Sequence, residues 1–186
     1  MRIVAGKYKG HRLTTPSGRR TRPTADRTRE AIFNVLSHAD WAPPLEGAAI
    51  IDLFAGSGAL GFEALSRGGS HCLFVETEAS ARGAIRTNAE ALQVFGTTQV
   101  HRRSAISLGP MPSKFKTAFN LAFLDPPYGK GLAELSLSCL AKGGWMAPDS
   151  MAVVETGVDE AIRPEGWESV SIRTYGSAQI IFLRQD

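Results

Sequence analysis

Residues 52–64 read DLFAGSGALGFEA, and this stretch decides the fold. An apolar run, Ala48 to Phe54, leads into it and reads as a buried strand; Ala59 to about Arg67 reads as a helix. Between them Gly56, Gly58 and Gly61 fall at G-x-G-x-x-G spacing, so the glycines sit at a strand-to-helix turn where the backbone must turn tightly and approach a ligand closely. Glu76 stands 20 residues after Gly56, at the end of the next apolar run, HCLFVE. An acid there can accept both hydroxyl hydrogens of an adenosine ribose. The pattern therefore predicts an adenosine cofactor without naming it, since a dinucleotide and S-adenosylmethionine carry the same ribose. Asp52 separates them. A dinucleotide-binding strand usually has an apolar residue at this position, whereas a carboxylate could help hold a cationic cofactor, brace the glycine turn through backbone N–H groups, or do both.

Outward from the glycine loop, strand and helix alternate. HCLFVE is followed by a helix over 78–92, a weaker strand in TTQVHRR, a strong one in FNLAFLD, a helix over 131–144 closed by glycines, and a buried strand in MAVVET. WESVSIRTYG and AQIIFLR close the chain as two strands joined by a tight turn. This order predicts an α/β fold, a doubly wound Rossmann-like sheet that is mostly parallel with an antiparallel C-terminal strand. Before it, RIVAG and HRLTT flank KYKG and predict a short β-hairpin, TPSGRRTRP predicts a loop, and Thr24 is placed to N-cap a helix whose apolar stripe is Ala31, Ile32, Val35 and Leu36. The expected organisation is a basic extension at 1–23 and one catalytic domain at 24–186.

Charge is concentrated in that extension. Residues 1–30 hold nine Lys and Arg against Asp26 and Glu30, a net +7, while the other 156 residues net −4. Such a local excess suits a polyanion, and the interleaved Gly, Tyr and apolar residues favour nucleic-acid contact over a plain solvated arm. Arg2, Lys7, Lys9, Arg12, Arg19 and Arg20 are the expected RNA contacts. Cys72 and Cys139 lie far apart in apolar contexts and read as free thiols in a reducing compartment. The four histidines lack the close spacing of a zinc site, so no metal is expected. No apolar run approaches the roughly 20 residues of a membrane helix. A cytoplasmic monomer is the expectation.

The most specific signal is FLDPPY. A buried strand delivers Asp125 to its carboxyl end, followed at once by Pro126, Pro127 and Tyr128. A base amine is a poor nucleophile because its lone pair is delocalised into the ring. Acceptors on both N–H bonds, the Asp125 carboxylate and the Pro126 carbonyl, would favour tetrahedral character at nitrogen and aim the lone pair at a methyl carbon. The prolines stiffen that geometry, and Tyr128 offers a face on which a flipped-out or single-stranded base can stack. A rigid turn is the plainer account of the four residues, and the glycine loop with Glu76 upstream argues against it.

With D-x-F-x-G-x-G and D-P-P-Y together, the sequence resembles class I S-adenosylmethionine amino-methyltransferases, and more narrowly the bacterial RsmD family, which methylates guanine N2 in 16S ribosomal RNA. The resemblance runs through RIVAGKYKGHRL, TRPTADRTREAIFNVL, DLFAGSGALGFEALSRG, FVE, FLDPPY and YGSAQIIFL, with 22–36 its most family-specific piece. It implies S-adenosylmethionine as cofactor and 16S RNA, or the assembling small subunit, as partner. It implies catalytic roles for Asp125, Pro126, Pro127 and Tyr128, and cofactor contacts from Asp52, Phe54, Ala55, Gly56, Gly58 and Glu76. Arg22 and Thr24 match a stretch near the methionine end of the cofactor. Ser104 stands where related enzymes have Asp or Asn facing the adenine; a serine can still hydrogen-bond there.

Three other readings stay open on the residues alone. A DNA methyltransferase acting on adenine N6 or cytosine N4 uses the same motif. The glycine loop also permits an NAD-dependent oxidoreductase, which leaves Asp52 and D-P-P-Y unexplained. A non-catalytic RNA-binding module would not need the tetrapeptide.

Overall fold

A computed structural model describes residues 1–16, 23–115 and 117–186, with the backbone alone at 23–25. Helix α1 spans Pro23–His38, β1 Ala49–Leu53, α2 Ala59–Ser66, β2 His71–Val75, α3 Ala79–Ala91, β3 Thr98–His101, β4 Phe119–Leu124, α4 Leu132–Lys142, β5 Met146–Gly157, β6 Trp167–Tyr175 and β7 Ala178–Gln185. The strands form one seven-stranded sheet in the order β3-β2-β1-β4-β5-β7-β6. β1 pairs in parallel with β2 and β4, and β4 with β5; β7 runs antiparallel between β5 and β6. The order reverses between β1 and β4, and in such sheets the crevice beyond the strand ends at this switch is where ligands bind.

Strand alternation sorts the core into two layers. Ile50, Phe74, Phe123, Val153 and Phe182 face one side, where they bury Ile32, Phe33 and Leu36 of α1, Phe62 of α2 and Ile85 of α3. Ile51, Leu73, Ala122, Val154 and Leu183 face the other and bury Leu137 and Leu140 of α4 with Trp145. Three helices thus cover one face and α4 the other. The stripe of α1 that is buried runs through Thr28, Arg29, Ile32, Phe33 and Leu36, so Phe33 belongs to it and Ala31 and Val35 flank it. α1 begins at Pro23, which places Thr24 inside the first turn instead of ahead of it; proline at a first helical position costs no hydrogen bond. β5 starts at Met146, five residues earlier than the apolar run MAVVET, because Phe119 pairs with Met146 before the register shifts. No helix among the described residues is long and apolar enough to cross a membrane.

The expected N-terminal hairpin is reduced to one antiparallel bridge, Arg2 to Arg12, with Ile3 N–H donating to the His11 carbonyl at 3.0 Å and Leu13 N–H to that of Met1 at 3.1 Å. Its strands are short because their outward groups bond to the domain instead of to each other. Buried Glu63 of α2 accepts from Val4 N–H at 2.8 Å and Ala5 N–H at 3.0 Å. The Ser66 carbonyl accepts from Lys7 N–H at 2.7 Å and its hydroxyl from Tyr8 N–H at 2.9 Å. Gly6 makes this approach possible: it sits at φ +82°, and a Cβ there would lie 1.8 Å from the Ser66 carbonyl oxygen. Ile3 and Leu13 are buried while Arg2, Lys7, Lys9 and Arg12 stay exposed, so the segment is a docked layer with its cations outward.

Candidate active site

The glycine loop leaves β1 through Phe54, whose φ of +57° is a left-handed conformation that costs a non-glycine residue roughly 1–2 kcal/mol. Strain of this kind persists where the surroundings over-determine it. Two carboxylates supply that constraint. Glu76, just past β2 and buried, accepts from Gly56 N–H at 2.9 Å and from Glu78 N–H at 2.8 Å. Asp52, inside β1, accepts from Gly61 N–H at 3.0 Å and so fixes the first turn of α2. Gly58 caps that helix at φ +77°, and a Cβ on Gly61 would lie 2.4 Å from the Phe74 ring and 2.5 Å from Cys72 Sγ, so helix and sheet meet closely only because 61 is glycine. Ala55, buried, ties the loop to β2 by donating to the Val75 carbonyl at 3.3 Å.

Glu76 fits an adenosine. Each of its oxygens holds one backbone N–H and retains a further lone-pair direction, so both ribose hydroxyls can still donate to it. Arg82 of α3, nearly buried, donates to the Glu76 and Thr77 carbonyls and holds this acid's backbone from behind. Ser104 follows β3 at the same end of the sheet, half-buried, at the N-cap of a short helical turn, Ala105–Ser107, with no side-chain capping bond.

Asp125 comes next after β4, one strand over from Asp52. Burial pushes the Asp52 carboxyl well above its usual range, the Gly61 N–H opposes this, and the charges of Asp125 and Glu76 push it further up. The mutual repulsion of these carboxylates favours a cation beside them. Pro126 is buried, and Pro127 and Tyr128 are exposed, Tyr128 to 42%. The Tyr128 hydroxyl donates to Glu155 on β5, and Gly129 N–H donates to Glu160 Oε2 at 3.0 Å.

The structure thus brings Asp52, Gly56, Gly58, Glu76, Asp125 and Tyr128 to the carboxyl ends of adjacent strands. Arg19, Arg20 and Arg22, and the Thr24 side chain, lie outside what is described. Four residues that shape this end were not singled out in the sequence. Glu155 carries the same signal as Glu76, an acid ending a buried strand, and is findable by it. Glu160, Arg82 and Asn88 carry none. Asn88 of α3 is buried and holds Thr14 through both its N–H, at 2.7 Å, and its carbonyl, at 3.0 Å, while donating to the Ser57 carbonyl at 3.0 Å. It joins the N-terminal layer to the glycine loop.

A sheet in this order, with a carboxylate-braced glycine loop on β1 and Asp-Pro-Pro-Tyr at the switch, defines a Rossmann-like methyltransferase fold. The solved structure of the Escherichia coli protein yhhF superposes with a TM-score of 0.84 at 30% identity, covering 100% of this chain and 98% of that one. The profile of the family described as "Conserved hypothetical protein 95" matches residues 1–184. The Ribosomal RNA small subunit methyltransferase D of Haemophilus influenzae is 34% identical over 178 residues, 95% of this chain and 89% of that protein. The Bacillus subtilis protein YlbH is 37% identical over 155 residues, 83% of this chain and 82% of its own. The chain belongs to this family, the RsmD family that its sequence resembles.

Proposed function

We propose that the chain transfers the methyl group of S-adenosylmethionine to the exocyclic N2 amine of a guanine in small-subunit (16S) ribosomal RNA. The observation that carries this is the placement of Asp125-Pro126-Pro127-Tyr128 beside a glycine loop braced by Asp52 and Glu76 at the topological switch. The RNA class rests on the relative named for ribosomal RNA small subunit methylation, and guanine N2 on the family resemblance.

Bound there, S-adenosylmethionine supplies an activated methyl carbon. Glu76 binds the ribose hydroxyls, Ser104 hydrogen-bonds the adenine, and Asp52 with the Phe54–Gly58 loop holds the cationic end, to which the family resemblance also assigns Arg22 and Thr24. Asp125 and the Pro126 carbonyl accept the two N–H bonds of the base amine, and Pro127 keeps the turn rigid. The displaced proton leaves through Asp125 or solvent. Tyr128 stacks on the base. The exposed Arg2, Lys7, Lys9 and Arg12, with Arg19 and Arg20, meet RNA phosphates. The protein acts as a monomer without a metal.

The test is incubation with labelled S-adenosylmethionine and, in parallel, 16S RNA, partly assembled small subunits and duplex DNA, followed by nucleoside analysis. N2-methylguanosine from a ribosomal sample is expected. Methylated adenine or cytosine from DNA keeps the mechanism and overturns the substrate, and no transfer to any of them overturns the reading.

A further inference from the structure

The four residues of the tetrapeptide explain how an amine is gripped and leave unexplained how one base is chosen. Adenine, cytosine and guanine all carry an exocyclic amine. They differ at the ring nitrogen beside it, which is a donor, N1–H, only in guanine; adenine N1 and cytosine N3 present lone pairs. A site that selects guanine therefore needs an acceptor next to the amine's own acceptors.

Glu155 stands at that place. β4 and β5 pair in parallel, and Leu124 with Val154 is their last register pair. Asp125 and Glu155 each come one residue later on strands roughly 4.8 Å apart, so both follow residues of the same facing, Phe123 and Val153, which lie in the layer covered by α1, α2 and α3. The Glu155 carboxyl is held in position. Its Oε1 accepts from the Tyr128 hydroxyl, the Tyr128 ring packs along the backbone of Gly157, where a Cβ would lie 3.6 Å from ring Cδ2, and Glu160 fixes Gly129 from the same segment. The residue that offers a stacking face and the carboxyl beside it are thus one rigid unit.

We propose that Glu155 is the specificity-determining residue: with Oε1 engaged by Tyr128, its other oxygen accepts N1–H of the guanine whose N2 amine is held at Asp125. The assignment rests on the guanine reading above. An adenine or cytosine in the same pose would set a ring lone pair against the carboxyl oxygen, so the residue rejects them as well as selecting guanine.

2-Aminopurine tests this, because it keeps the N2 amine and replaces N1–H by a lone pair; it also lacks the O6 carbonyl, so the change of preference on substituting Glu155 carries the test and the wild-type preference alone does not. The methylated guanine is mapped first, and small subunits are reconstituted with guanine or 2-aminopurine at that single position. Wild-type enzyme is expected to prefer guanine by roughly 10- to 100-fold in kcat/KM, the range of one hydrogen bond to a carboxylate made or left unpaired. Glu155→Gln can still accept from Tyr128 while turning its amide N–H toward N1. It is expected to narrow or invert the preference by about tenfold or more, with S-adenosylmethionine binding unchanged by calorimetry. A merely structural role would lower both rates together, and an unchanged ratio overturns the proposal. Should the variant fail to fold, equal methylation of the two bases by wild-type enzyme still overturns the assignment. Absence of N2 methylation on the guanine subunits removes the functional reading beneath it, a distinct result.

Discussion

Replacing Gly6 by alanine tests whether the N-terminal segment is part of the folded domain or a handle attached to it. Gly6 and Gly10 share one backbone conformation, φ +82° and +84°, and opposite surroundings. At Gly10 an added Cβ meets nothing within 4 Å; at Gly6 it would lie 1.8 Å from the Ser66 oxygen and 2.4 Å from its carbonyl carbon, both backbone atoms of a packed helix. Gly10→Ala therefore costs only the left-handed strain, about 1 kcal/mol. Gly6→Ala adds the loss of docking. Val4 and Ala5 move off Glu63, which is 1% exposed and keeps its side-chain contacts to Arg67, at 2.9 Å, and Arg29, at 3.8 Å. Losing two hydrogen bonds to a buried carboxylate costs roughly 3–6 kcal/mol, about 1.5–3 for each, against a whole stability of about 5–15 kcal/mol. For a chain of this size about 1 kcal/mol moves the melting temperature by roughly 2–4 °C. Thermal unfolding should then show Gly6→Ala lower by about 10 °C and Gly10→Ala by about 3 °C. Equal shifts for the two variants would refute the docking argument, since only the space around the Cβ distinguishes them.

Asp125→Ala should lower kcat at least about 100-fold, the scale of one oriented polar group at a reacting centre, with S-adenosylmethionine affinity by calorimetry within a few-fold; parallel loss of both would contradict a role confined to the amine. Asp52→Asn should stabilise the fold as pH rises. Burial raises the native carboxyl pKa, so above the unfolded value of about 4 the unfolded chain releases this proton first and wild-type stability falls with pH until the native value is passed. Urea midpoints should match near pH 4 and diverge in favour of the variant toward pH 8, while cofactor affinity drops; a flat difference across pH would be inconsistent with the burial. Neutralising Lys9 and Arg12 together should weaken RNA binding and flatten the slope of log K against log salt by roughly 1.5, about 0.7–0.9 for each phosphate contact released. An unchanged slope in filter binding would remove these two cations from the RNA surface.

The fold was legible because its signals are local. HCLFVE and FNLAFLD are apolar runs ended by an acid, AIIDLF is one that leads into the glycine loop, and each became a strand of the parallel core, β2, β4 and β1. Glu76 was legible as a site residue for the same reason, a charge at a strand's end with no packing to do there. The boundary of β5 was not. MAPDS has no strand pattern, and its pairing comes from Phe119 across the sheet with a register shift. Asp52 was legible as unusual and ambiguous in purpose; its bond to Gly61 shows the brace, and the brace leaves the cation-holding role to experiment. Glu63 read as one more polar residue in a helix because its partners lie 58 and 59 residues away.

In the N-terminal segment, charge alone does not separate cations that face outward from one that packs inward. Nine basic residues in the first thirty read as an arm for RNA, and the exposed Arg2, Lys7, Lys9 and Arg12 fit that reading. One of the nine, Arg29, is buried: it donates to the Arg2 carbonyl at 2.6 Å and faces Glu63, so it fastens the segment to the domain instead of meeting a phosphate. Gly6, one of the glycines of the segment's turn, is what lets the chain lie close on α2. The consequence is geometric. Asn88 bonds Thr14 and Ser57 at once, so the cations of the segment stand at a fixed offset from the glycine loop. Under the proposed RNA role, a flexible arm would only raise the local concentration of RNA, whereas a docked one would also set which nucleotide, measured along the backbone from the bound phosphates, arrives at Asp125.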